Sequence, residues 1–229
     1  MDRVSMNLVF HTFGCKVNTY DTGLLQNRFK KVEDLKTSHP IHIINSCAVT
    51  GEATQETLRQ VRRLKVADPL CTVVVTGCAA QVDTEKVSIP GADLVVANSH
   101  KGELEEILKK YFSGELQGRV FKSNIFRKED LEAGGGLESH HTRSFLKIQD
   151  GCNSFCTFCV IPFARGKSRS IPVLDLVRRI QYLETQEVKE VVLTGVHIGD
   201  YEDSGLGLED LLEEVLARTE IPRTKNISW

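Results

Sequence analysis

The chain has 229 residues, a formal net charge of −2 and a hydrophobic fraction of 41%. That fraction supports one large or two modest packed domains and excludes a disordered chain. The near-neutral balance excludes a global basic field, so any hold on nucleic acid falls to local patches. No apolar run reaches the roughly 18 residues of a membrane span, and the opening "MDRVSMNLVFHTFGC" lacks signal-peptide architecture; the expectation is a soluble, cytoplasmic protein with no membrane partner.

In chain order, three segments share one layout. "LVFHTFGC" ends at Cys15, "IHIINSC" at Cys47 and "TVVVTGC" at Cys78. Each is a β-branched or apolar run, then a small or polar turn residue, then a thiol. Helical patterns follow each. "NTYDTGLLQNRFKKV" carries Asp21 among its early residues, "TGEATQETLRQVRRLKVADP" has Thr50 as its cap and stops at Pro69, and "AAQVDTEKVS" is shorter and leads to a further strand in "IPGADLVVANS". Strand alternating with helix predicts a parallel, doubly wound, Rossmann-like sheet. In such sheets ligands bind beyond the carboxyl ends of the strands. Cys15, Cys47 and Cys78, spaced by 32 and 31 residues, all fall at that edge. Chance placement is the bland alternative; a shared metal site with one open coordination position is the better reading.

The segment "KGELEEILKKYFSG" (101–114) closes the first domain, set at residues 1–125. A linker follows, 126–143, marked by three consecutive glycines (134–136) and by mixed charges. Its His140 and His141 read as a solvated pair ahead of a metal site. The second domain, 144–229, opens with the strand "SFLKIQDGC", continues with a helix near 172–186 and a second strand "EVVLTGVHIGDY" (190–201), and carries another helix at 207–218.

Seven cysteines in a reducing compartment are poor material for disulfides. Cys71 opens its strand with no partner nearby and reads as an inert buried thiol. The remaining three lie in "GCNSFCTFC" (151–159), as Cys152-x3-Cys156-x2-Cys159. A closed zinc site wants four ligands, usually in paired clusters. No cysteine follows Cys159, and the only later histidine is His197. Three thiolates and an open position suit an iron–sulfur cluster better. Phe158 on its own reads as core; beside this spacing it suits a platform for an adenine. Gly195, Val196 and His197 follow the second strand, at the end where barrel sites are built. Gly195 would let backbone approach a bound cofactor, while His197 divides evenly between site and structural loop. Arg165, Lys167 and Arg169 read either as contacts to RNA phosphates or as a solvated basic loop, and Arg59, Arg62, Arg63 and Lys65 as a solvated helix face.

Cys152-x3-Cys156-x-Phe158-Cys159 resembles the radical S-adenosylmethionine signature. The flanking "FLKIQDGCNSFCTFCVIPFARGKSRS", with "FGCKVNTYD", "INSCAVTGEATQETLRQVRR" and "VVVTGCAAQ", is similar to the methylthiotransferases, and "GCKVN" with "SCAVTGEAT" most resembles the branch acting on threonylcarbamoyladenosine beside the tRNA anticodon. The resemblance covers about 5–220. It implies two [4Fe–4S] clusters. Cys152, Cys156 and Cys159 would hold the one that binds and cleaves S-adenosylmethionine, and Cys15, Cys47 and Cys78 the auxiliary one. It also implies tRNA as substrate, an electron donor such as flavodoxin or ferredoxin, and a (β/α) radical S-adenosylmethionine barrel of which only two strands and the approach to a third, "TEIPRTKNISW", are read here. The expectation is therefore a C-terminally truncated barrel, an exposed edge on the second strand and little activity from this chain alone. Sister enzymes acting on isopentenyladenosine in tRNA or on a ribosomal protein, and a non-catalytic iron–sulfur or zinc module, stand as alternatives.

Overall fold

The computed structural model describes residues 7–30, 37–88, 91–129, 131, 134 and 143–227; His140 and His141 lie outside the described residues. The first half alternates as expected. β1 (Leu8–Thr12) leads to α1 (Lys16–Phe29), β2 (Ile41–Ser46) to α2 (Gly51–Ala67), and β3 (Thr72–Gly77) to the short α3 (Cys78–Val82) and α4 (Thr84–Ser88). β4 (Leu94–Ala97) then runs through a 3₁₀ segment (Asn98–Glu103) into α5 (Leu104–Phe112) and β5 (Val120–Phe121). The five strands form one parallel sheet in the order β1-β2-β3-β4-β5.

Both faces of this sheet are covered, which is why its central strands are continuous apolar runs rather than alternating ones. Leu25 and Phe29 of α1 and Leu104, Ile107 and Leu108 of α5 pack with Ile41, Ile43 and Val74 on one face. Leu58 and Val61 of α2, with Ala79, Ala80 and Val87, pack on Ile44, Val73 and Val75 on the other. Thr50 caps α2 by accepting from the Ala53 amide at 3.2 Å. The strand order never reverses, so no switch-point crevice exists in this sheet. Three neighbouring strand ends take its place.

The second sheet is built from β6 (Arg143–Lys147), β9 (Glu190–Thr194) and β10 (Arg223–Ile227), all parallel, in the order β10-β9-β6. Here the structure corrects the sequence reading. β10 is a formed third strand and covers the edge of β9 that was expected to be open. The approach to a third strand read in "TEIPRTKNISW" is completed within the chain, the polar Arg-Thr-Lys-Asn run being held by backbone pairing to Glu190–Leu193. Between β6 and β9 lie β7 (Gln149–Asp150) and β8 (Arg169–Ser170), paired antiparallel, which bracket an excursion holding α6 (Ile161–Arg165); α7 (Val173–Thr185) follows and α8 (Leu208–Arg218) leads to β10. Leu176, Val177, Ile180 and Leu183 of α7 and Leu211 and Val215 of α8 pack on Leu146, Val191 and Leu193. Tyr20, from α1 of the first half, is fully buried in this same core. No helix among the described residues is long and apolar enough to cross a membrane.

Candidate metal centres

The parallel register sets the first thiol group. Thr12 pairs with Asn45, Asn45 with Thr76 and Ser46 with Gly77, so Cys15, Cys47 and Cys78 leave three adjacent strands at the same edge. Glycines hold them close. Gly14 has φ of 96°, and a Cβ there would lie 2.5 Å from Cys47 Cβ and 2.6 Å from its Sγ. Gly77 has φ of 95°, and a Cβ there would collide with the Ser46 backbone and with the Asn45 side-chain oxygen. Both positions need glycine for conformation and for space. Cys15 occupies the N-cap position of α1 and Cys78 the first position of α3. Cys47 is buried and Cys15 half-buried. Burial pushes the Cys47 thiol up, and the neighbouring Cys78 and Cys15 push the same way against a Val49 backbone hydrogen bond and the Arg165 charge.

Among the described residues, three or more His, Cys, Asp or Glu ligand atoms all within 4.8 Å of one another occur only at Cys152, His197 and Asp200. The first three thiols are thus set wider than the ligands of one small ion, as a cluster would require. Cys71 sits at the opposite end of β3, buried, its sulfur 3.7 Å from the Leu64 carbonyl. Replacing Cys71 by serine is expected to leave iron uptake unchanged; a loss matching that of Cys78→Ala would show the wrong thiol was chosen.

The second group lies on the β7–β8 excursion. Gly151, with φ of 77°, has no room for a Cβ because the Lys167 carbonyl occupies that space. Cys152 N donates to Gly166 O at 3.1 Å, Ser154 N donates to the Cys152 sulfur at 3.4 Å, and Cys159 N donates to Cys156 O at 2.9 Å. Phe155 takes φ of 46°, rare for a non-glycine residue, and its ring joins Phe126 and Phe163 at centroid separations of 5.8 and 6.1 Å. Phe126, at the start of the expected linker, is therefore packed on the cysteine loop. Cys156 is exposed and Phe158 is 92% exposed.

Gln149, which the sequence reading passed over, organises the far side. Its Oε1 accepts from Val196 N at 3.2 Å and His197 N at 3.0 Å, and its Nε2 donates to Gly151 O at 2.7 Å and Ser168 Oγ at 2.9 Å. A Cβ on Gly195 would meet Gln149 Oε1 at 2.9 Å. A side chain at this position would also meet Ile198 Cγ2 at 2.8 Å, so close packing requires glycine here. His197 Nδ1 stands 2.8 Å from Asp200 Oδ2, beside Cys152.

Arg165 and Arg169 do not form an exposed basic loop. The Arg165 side chain is 2% exposed and Arg169 10%. Arg165 Nη1 donates to both oxygens of Asp150 at 2.9 and 3.1 Å and to Asp21 Oδ2 at 3.3 Å, and Nη2 donates to Asn18 Oδ1 at 2.6 Å. Lys147 Nζ reaches Asp21 Oδ1 at 2.6 Å and Asp150 Oδ2 at 3.1 Å, and Lys101 Nζ reaches Asp21 Oδ2 at 3.2 Å. Burial alone would raise both carboxyls. The Lys147, Lys101 and Arg165 charges reverse this at Asp21, and Arg165 and Lys147 bring Asp150 down to about 2. Carboxylates with depressed values stabilise the fold above their unfolded value of about 3.9 and lose that contribution as pH falls through the folded value. Urea midpoints of the metal-free chain are therefore expected to fall between about pH 4 and pH 2; Asp150→Asn should flatten that slope.

Three strand-end thiols, a cysteine loop at the mouth of a second parallel sheet and an ionic floor between them make up the candidate site. Residues 146–227 match the Radical SAM superfamily and residues 7–97 the Uncharacterized protein family UPF0004. The chain is 38% identical to a threonylcarbamoyladenosine tRNA methylthiotransferase MtaB of Aquifex aeolicus, over 92% of this chain and 53% of the relative, and 34% identical to that of Bacillus subtilis, over 93% and 49%. A tRNA-2-methylthio-N(6)-dimethylallyladenosine synthase of Thermodesulfovibrio yellowstonii is 32% identical over 89% and 48%. The radical S-adenosylmethionine methyltransferase TsrM of Kitasatospora setae, solved with cobalamin and a [4Fe–4S] cluster, shares the fold at a TM-score of 0.63 and 14% identity, over 94% of this chain and 54% of that one. The chain is thus similar to radical S-adenosylmethionine methylthiotransferases along most of its length, and it spans about half the length of the curated relatives it matches.

Proposed function

We propose that this chain carries the cluster-binding part of an enzyme that adds a methylthio group to carbon 2 of threonylcarbamoyladenosine beside the tRNA anticodon. The observation that carries it is the pair of three-thiol sets, each at the carboxyl end of a parallel sheet, joined by the Asp21–Arg165–Asp150 network. The donor sets fit iron–sulfur clusters. Three thiols leave adjacent strands at one edge, three more lie within the eight residues 152–159, glycines leave no side chain in the way at Gly14, Gly77 and Gly151, and the buried Arg165 charge acts on the first set. In this reading residues 1–125 hold an auxiliary cluster and residues 144–229 the beginning of the radical domain.

When bound, the cluster on Cys152, Cys156 and Cys159 supplies the electron that cleaves S-adenosylmethionine to a hydrogen-abstracting radical. The chain's own residues position and shield. Gln149 fixes the 195–197 turn against Gly151, which sets His197 and Asp200 beside Cys152. Phe158 offers an exposed ring to the adenine. A flavodoxin or ferredoxin is the electron donor in this reading, and the cytoplasm, where tRNA and such donors meet, is the site of action.

Anaerobic reconstitution with iron and sulfide tests the cluster assignment. S-adenosylmethionine should perturb one of two paramagnetic signals, and loss of Cys152, Cys156 and Cys159 should abolish that perturbation. Stoichiometric zinc without iron uptake would point to a structural module instead. For the substrate, protein, reductant and S-adenosylmethionine are supplied with threonylcarbamoyl-modified or isopentenyl-modified tRNA, and the digested nucleosides are read by mass spectrometry. A methylthio product on the second tRNA alone would move the assignment to the dimethylallyladenosine branch, which the 32% identity to that synthase keeps in view.

A further inference from the structure

Arg165 stands out among the buried groups. It belongs to α6, six residues past the last cysteine of the radical loop, yet it is held by the first half of the chain. Asn18 accepts from its Nη2 at 2.6 Å, and the Asn18 amide in turn donates to the Phe13 and Ser46 carbonyls at 2.8 and 2.9 Å. Those two carbonyls lie just before Gly14-Cys15 and Cys47. Next to Arg165 in the chain, the Ala164 carbonyl accepts from Asn98 Nδ2 at 2.9 Å, and the same amide lies 3.7 Å from the Cys78 sulfur. Through Asn18 the guanidinium is thus tied to the backbone leading into Cys15 and Cys47, and through the neighbouring Ala164 carbonyl and Asn98 its own helix is tied to the Cys78 sulfur.

Two further observations point the same way. Arg165 Nε is buried without a hydrogen-bond partner among the described residues, although an orphaned charged donor is costly unless something accepts from it. The network also has four cations, Lys101, Lys147, Arg165 and, at 3.9 Å, Arg169, on two carboxylates, Asp21 and Asp150. Burial works against the Arg165 charge, but its surroundings, Asp150 foremost, with Asp21 and the sulfurs of Cys78 and Cys15, outweigh it.

We propose that Arg165, delivered from the radical domain, sets the reduction potential of the auxiliary cluster on Cys15, Cys47 and Cys78, its fixed positive charge and free Nε–H favouring the reduced, more negative form. It acts as a positioning and tuning residue, since nothing places it on substrate. This rests on the auxiliary-cluster reading above. A cation held beside a cluster in a low-dielectric floor stabilises each added electron, and hydrogen bonds and net charge are known levers on cluster potential.

The test uses the full chain with Cys152, Cys156 and Cys159 replaced by alanine, so that only the auxiliary set can load. The cluster is titrated with dithionite under mediators and followed by paramagnetic resonance, with circular dichroism as the check on folding. Arg165→Gln is expected to lower the reduced-to-oxidised ratio at fixed potential about tenfold, which is about 59 mV for a one-electron couple. Arg165→Lys, which keeps the charge and loses Nε and the fork, should fall between that variant and the parent, and it decides the matter if the glutamine variant does not fold. Lys147→Met, which removes a cation bound to the same carboxylates, should shift the potential less. Loaded Arg165 variants with the parent potential would overturn the proposal, as would an equal shift from Lys147→Met. A parent chain that takes up no iron at Cys15, Cys47 and Cys78 would instead sink the cluster reading on which the proposal stands.

Discussion

Anaerobically reconstituted chain is expected to hold about eight irons, and replacing Cys152, Cys156 and Cys159 together by alanine should remove about half of them. Replacing Cys15, Cys47 and Cys78 should remove the other half. The expectation of independent loading comes from the separate scaffolds. The first set is fixed by the β1–β2–β3 register and by Gly14 and Gly77. The second is fixed by the β7–β8 pair, Gly151 and Gln149. Neither scaffold borrows a sulfur from the other. Iron counted per chain, with sulfide counted alongside, reads the result directly. A triple variant that keeps the full load would refute the assignment of that set, and a variant that loses all iron would show that the two sites assemble in sequence.

The second large effect concerns stability. Asp21→Ala should lower the unfolding free energy by about 3–5 kcal/mol, the usual result of breaking a buried ionic group on one side. Asp21 is met by Lys147, Lys101 and Arg165, so its removal leaves Lys147 and Arg165 on Asp150 and Lys101 with only the Asn45 amide oxygen among the described residues. Removing a matching cation as well should recover part of the loss. The Asp21→Ala, Lys147→Met pair is expected to be less damaging than the sum of the two single changes, read from denaturant midpoints in a double-mutant cycle. Additive effects would mean that the contact at 2.6 Å carries no coupling.

Much of the first half was legible because its signals are local. A β-branched run, a glycine or serine and a thiol recur at nearly one βα period, and parallel pairing turns equal spacing into spatial convergence. The Cys-x3-Cys-x2-Cys loop is likewise a short-range pattern. Cys71 was separable from Cys78 because one opens and the other follows the same strand. The ionic floor was not legible. Asp21 and Lys147 are 126 residues apart, and each looks ordinary in its own window. A signal existed in "KIQDGC", where Lys147, Gln149 and Asp150 interrupt what should be a buried strand end; polar residues there demand partners. Arg165 was misread because a basic cluster usually faces water, and only the fold shows that it points into the seam. The third strand of the second sheet was legible only as an approach, in "TEIPRTKNISW"; the structure forms it over Arg223–Ile227 by backbone pairing with β9.

The sharing of α1 bears on how the protein can be handled. Leu25 and Phe29 belong to one core while Tyr20 is sealed inside the other, with Lys147 stacked 5.4 Å from its ring. A gene cut in the 126–143 region, the obvious place to separate the halves, would strip the cover from Tyr20 and strand Asp21 on a bare surface. The partner fragment would keep Arg165 and Lys147 with a vacancy where the helix had been. Neither product would be a true domain in the laboratory sense. Fragment expression should yield sticky, poorly soluble material, and co-expression of the two pieces, allowing them to find each other, is the more promising route to studying one without the other.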